Sequence, residues 1–93
     1  MSDFTRWSKW FECGLEMKGH KTHAMAVMAW IAAHASSEGS GIEFNPEVWL
    51  SIADEIGITA EEGKAAVDAL IAEGLLAAVG QETHDLLVVR AVL

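Results

Sequence analysis

Ninety-three residues allow one domain with a single modest core, and a hydrophobic content of 52 % places the chain among folded rather than disordered proteins. No apolar run approaches the roughly 20 residues of a membrane span, and the opening residues lack the basic-then-apolar order of a secretory signal. The formal net charge is −8, and the single cysteine, Cys13, has no internal partner, which fits a reducing, cytoplasmic setting. With no motif beside it to activate the thiol, Cys13 reads as a buried structural residue.

In the opening stretch, Trp7, Trp10 and Phe11 fall at i, i+3 and i+4, the spacing of a short amphipathic helix capped by Ser2 or Asp3; an extended arm is the alternative. Two roles fit these rings. They can form a lid on the core, supplying buried area that a small domain needs. With Arg6 and Lys9 interleaved, they can instead offer a stacking platform for nucleic-acid bases. Gly14 and Gly19 bracket Leu15 to Lys18, which reads as a loop or single turn.

The first long helix runs from His20 to His34, with Thr22 as its cap. Ala24, Val27, Met28, Ile31 and Ala35 share one face, and Met25, Ala29, Ala32 and Trp30 widen the apolar surface. A helix apolar nearly all round is buried on more than one side. Either the N-terminal aromatics enclose it, or residues 24–35 meet a second copy in a homodimer. Residues 36–41 are a small polar loop. Ile42, Glu43 and Phe44 then form a brief strand beside a later hairpin, with Ile42 and Phe44 inward.

From Phe44 onward the punctuation is dense. Asn45 is an N-cap and Pro46 sits at the first helical position, where its missing N–H costs nothing. Val48, Trp49, Ile52, Ala53 and Ile56 recur at helical spacing, and Gly57 supplies a left-handed stop. Thr59 and Glu62 form a capping box for the next helix, whose inner stripe is Ala60, Ala66, Val67, Leu70 and Ile71. Gly74 ends that helix. A strand over Leu75–Val79, a turn over Gly80–Asp85 and a return strand over Leu86–Leu93 complete a hairpin.

Helix, short strand, helix, turn, helix, hairpin is the order of a winged helix-turn-helix: three helices plus a wing, mainly α, with an extra N-terminal aromatic segment, all in one domain over residues 1–93. The segment FTRWSKWFECGLEM, followed by a helix and then by GIEFNPEVWLSIADEIGITAEEGKAAVDALIAEGLLAAV, resembles the winged-helix domain of phage and plasmid replication initiators and related regulators. Phe44-Asn45-Pro46 at the helix opening and Gly74-Leu75-Leu76 at the entry to the wing carry the likeness. The resemblance implies a fold built for nucleic acid, in which the second helix of the motif enters the major groove with basic and amide side chains.

Here that helix presents Glu61, Glu62, Lys64, Ala65, Asp68 and Glu73, the helix before it Glu47, Asp54 and Glu55, and the wing Glu82 and Asp85. The first forty residues carry four basic and four acidic side chains, whereas residues 41–93 carry ten acidic ones against Lys64 and Arg90. Duplex DNA bears a charge about every 1.7 Å of its axis, so such a face is repelled from it. Concentrated carboxylates attract cationic surfaces and speed association with them. The expected partner is therefore a basic protein that handles nucleic acid, and the expected role that of a phage or mobile-element inhibitor or modulator, anti-CRISPR proteins being one such family. The alternative is a DNA-binding regulator or replication accessory protein that uses Arg6, Trp7, Lys9, Trp10, Lys18 and Lys21.

Catalysis and metal binding find little support in the residue pattern. His20 and His23 can share a metal, but no CxxC or HxxxH pair accompanies them, and His34 stands about 16 Å from His23 along the helix. Asp54-Glu55 and Glu61-Glu62 are sequence neighbours that point apart, which does not make a general acid–base pair. Neither a phosphate-cradling glycine loop nor a nucleophile elbow is present. No enzyme activity, cofactor or metal is expected.

Overall fold

The computed structural model describes residues 3–19, 21–35, 42–83 and 86–93. Four helices lead into and around a small antiparallel sheet: α1 (Asp3–Leu15), α2 (Lys21–His34), β1 (Ile42–Phe44), α3 (Pro46–Ile56), α4 (Ala60–Ala72), β2 (Leu76–Thr83) and β3 (Leu86–Ala91).

The helical spacing of the N-terminal aromatics is realised as α1, and the extended arm is not. Trp10 is 2 % exposed, and Trp7 and Phe11 pack half-buried against the core. Trp10 meets both neighbours edge-on, at 5.1 Å from Trp7 and 5.4 Å from Phe11. The loop expected from Gly14 begins later than its glycine implies. Helix α1 continues to Leu15, and Glu16 and Met17 close it by donating to the carbonyls of Cys13 and Gly14, each at 3.2 Å. A Cβ on Gly14 would lie 2.5 Å from Met28 Sδ, so this glycine marks the close approach of α1 to α2 rather than a helix stop. Met17, placed in that loop by its neighbours, is buried. Cys13 is exposed, although it lies one turn along α1 from the buried Trp10; the expectation of a buried thiol is corrected.

Helix α2 is central. Ala24, Val27, Met28, Trp30 and Ile31 are buried, with α1, α3 and α4 all packed around the helix. Enclosure within the chain thus accounts for its apolar surface, and what it exposes beyond Lys21 and Thr22 is mainly Ala29, Ala33 and His34.

The caps of the next two helices form as their side-chain chemistry requires. Asn45 Oδ1 accepts from Val48 N at 2.9 Å, Pro46 opens α3, and Gly57 ends it at φ 72°. Thr59 and Glu62 exchange reciprocal hydrogen bonds at the start of α4. That helix turns Gly63, Ala66, Val67 and Leu70 inward, while Ile71 and Ala60 are half-buried. Phe44 is fully buried at the junction, stacked on Trp49 at 4.7 Å with Trp30 tilted over it at 6.0 Å.

Strand β3 lies between β1 and β2, each antiparallel to it. Ile42 pairs with Val89 and Phe44 with Leu87, so the brief strand does join the hairpin, with Ile42 and Phe44 inward and Glu43 outward. The hairpin is longer at its tip than expected. Pairing continues through Gly80–Val88 and Gln81–Leu87 to Thr83–Leu86, with register shifts between Ala78 and Gly80 and between Gln81 and Thr83, so residues 80–83 of the expected turn belong to β2. Val92 leaves the strand and donates to the Leu75 carbonyl at 2.9 Å. Among the described residues, no helix is long and apolar enough to cross a membrane.

Candidate protein-binding surface

Helices α3 and α4 carry one basic side chain between them, Lys64. On α3, Glu47, Leu50, Ser51 and Asp54 are exposed and share the side opposite the buried Trp49 and Ile52. On α4, Glu61, Lys64 and Asp68 are exposed and Ala65 is half-buried, with Glu73 exposed just beyond the helix. Glu47, Glu61 and Glu62 occupy first turns, where the helix dipole favours carboxylates, so their negative charge is compatible with the helices they sit on.

Two of the predicted surface carboxylates are partly committed inside the molecule. Glu55 Oε2 accepts the indole N–H of Trp30 at 2.6 Å and lies 4.0 Å from His34 Nε2. The other ring nitrogen of His34 is 2.8 Å from the Trp30 carbonyl oxygen, which can only accept, so Nδ1 is the donor. Glu62 accepts the Thr59 N–H and faces His23 Nε2 at 3.2 Å. The Thr59 N–H, the Thr59 hydroxyl and His23 together outweigh partial desolvation and hold the Glu62 carboxyl below its ordinary range. Lys64 lies 6.0 Å over the Trp49 ring, a cation–π arrangement that turns its charge toward its own fold.

What remains outward within α3 and α4 themselves is Glu47, Asp54, Glu61 and Asp68, none of which has an ion pair among the described residues. Glu82 belongs to β2 instead of a turn, and Asp85 lies outside the described residues, as do His20 and His84.

The basic set of the alternative reading is not drawn together by one element. Arg6 and Lys9 lie on α1, Lys18 follows it, and Lys21 opens α2; the three lysines are exposed. Trp10 cannot stack bases, because its ring is inside the core and its N–H donates to the Leu75 carbonyl at 2.7 Å. Trp7 packs half-buried against it. The lid role explains both rings.

Among the described residues, no three of the His, Cys, Asp and Glu side chains stand close enough to hold a metal ion. The ties of Glu55 to Trp30 and of Glu62 to His23 were missed in the residue pattern, since each spans more than a helix turn and depends on how α2 lies against α3 and α4. Comparison of the chain with protein-family models, with curated proteins and with solved structures finds no match in any of the three.

Proposed function

We propose that this chain is a small winged helix-turn-helix module that binds a cationic protein surface through α3 and α4. Its role on this reading is to inhibit or modulate machinery that handles nucleic acid, as a phage or mobile-element protein of the anti-CRISPR kind would. The order of elements supports the fold assignment, with β1 joining the hairpin at the edge of β3. The observation that carries the functional reading is the outward set Glu47, Asp54, Glu61 and Asp68, left without ion pairs among the described residues. Carboxylates held on two packed helices present a fixed field. Such a field raises the encounter rate with a basic groove and disfavours phosphate.

The test uses a variant that spares the internal ties of Glu55 and Glu62: Asp54→Lys, Glu61→Lys and Asp68→Lys combined. Wild-type protein is expected to capture a basic protein from its host, and duplex DNA is expected to compete with it for that protein. The variant, with an unfolding midpoint matching the wild type, is expected to capture nothing above background. Equal capture by both proteins refutes the reading. So does a gel shift of random duplex DNA by the wild type that weakens steeply with added salt, which would mark a phosphate-binding surface instead.

A further inference from the structure

A groove runs between α1, the end of α4 and the chain leaving β3. Two adjoining cavities of about 310 Å³ and about 470 Å³ form it, sharing Cys13, Leu75 and Val92. Its floor is apolar: Trp10 and Leu75 are almost fully buried beneath it, and Val92 and Leu93 make the wall. The backbone under the floor is satisfied, because the Leu75 carbonyl accepts from both the Trp10 indole and the Val92 N–H. The two ends differ in sign. Arg6 and Lys9 line one cavity, and Glu16 and Glu73 line the other.

We propose that this groove binds an extended peptide segment with an apolar centre, an acidic end seated at Lys9, and a basic end seated at Glu16 and Glu73. The length fits. Lys9 and Glu16 are separated by about 10 Å along the axis of α1, which three extended steps of about 3.3 Å span. Apolar side chains of the segment cover Val92 and the edge of Leu75, while charge opposition at both ends sets its direction. A uniformly charged strand, such as nucleic acid, matches only one end. The groove reaches the end of α4 through Glu73, but it uses none of Glu47, Asp54, Glu61 and Asp68 and so does not depend on the function proposed for them.

Cys13 sits where the two cavities join and is the single cysteine of the chain, so its alkylation reports on the groove alone. The probes are the capped peptides DDLLKK, its reverse KKLLDD, and the uniform DDLLDD and KKLLKK. The concentration of each that slows iodoacetamide labelling of Cys13 gives its affinity. One of the two mixed peptides is expected to bind about tenfold more tightly than either uniform one, the difference coming from the end that the uniform peptide mismatches. Lys9→Glu should move the preference toward KKLLKK, and Glu16→Lys with Glu73→Lys toward DDLLDD. All three substituted positions are exposed, so folding is expected to survive. Equal protection by all four peptides, protection by none, or a preference unmoved by both variants overturns the proposal.

Discussion

The indole N–H of Trp30 reaches Glu55 across the boundary between α2 and α3, and the 2.6 Å contact joins two residues 25 positions apart. Trp30 also stacks on His34 at 4.1 Å, and His34 in turn faces the same carboxylate. A side chain that looks like part of a solvated acidic face therefore fastens the central helix to its neighbour. The carboxylates of α3 and α4 thus divide into those tied within the fold, Glu55 and Glu62, and those with no ion pair among the described residues.

Removing the donor tests the tie. Trp30→Phe keeps an aromatic ring against Phe44 but loses the hydrogen bond, and is expected to lower the unfolding free energy by about 1–2 kcal/mol in a urea titration. Glu55→Gln retains an acceptor and is expected to cost less than half of that. A Trp30→Phe midpoint equal to the wild type would show that the contact adds nothing.

Acid should weaken the α4 cap. The folded Glu62 carboxyl titrates below its unfolded counterpart, whose ordinary value is 4.5. Its contribution is therefore complete above the unfolded value and is lost as the pH falls through the lower folded one. Thermal midpoints of the wild type and of Glu62→Gln are expected to differ at about pH 5 and to converge on acidification toward about pH 3. A gap that stays constant over that range would contradict the assignment.

The turn between α3 and α4 depends on a positive dihedral. Gly57 sits at φ 72° with open space around its Cα, so Gly57→Ala meets no neighbour and suffers only backbone strain. The expected loss is about 1–2 kcal/mol by chemical denaturation. Gly19→Ala, which is neither crowded nor at positive φ, is expected to stay within about 0.5 kcal/mol of wild type.

On α1, adjacent residues should behave oppositely. Trp10→Ala removes a ring buried in the core and is expected to cost about 3–5 kcal/mol. Lys9→Ala, at an exposed position, should change stability by less than about 0.5 kcal/mol. Comparable small effects from both would revive the reading of these aromatics as a binding surface.

Residue order alone determined much of the architecture. The caps at Asn45 and Thr59, the left-handed Gly57, the inward alternation of Ile42 and Phe44 and the helical spacing of Trp7, Trp10 and Phe11 are local, because each depends on groups within a few residues of one another. The excess of carboxylates after residue 40 is equally plain from composition. Tertiary packing decided the rest. Gly14 looks like a breaker and serves as a contact point for Met28; Cys13 is exposed although it lies one turn from the buried Trp10; and the hairpin pairs beyond Gly80 on a strand, β3, that carries β1 on its other edge. Which carboxylates remain free is likewise a matter of helix placement, since Glu55 and Glu62 find Trp30 and His23 only after α2 is laid against α3 and α4. Short-range hydrogen bonds and dihedral preferences are written into neighbouring residues, whereas the fate of a charge depends on what the folded chain brings within a few ångströms of it.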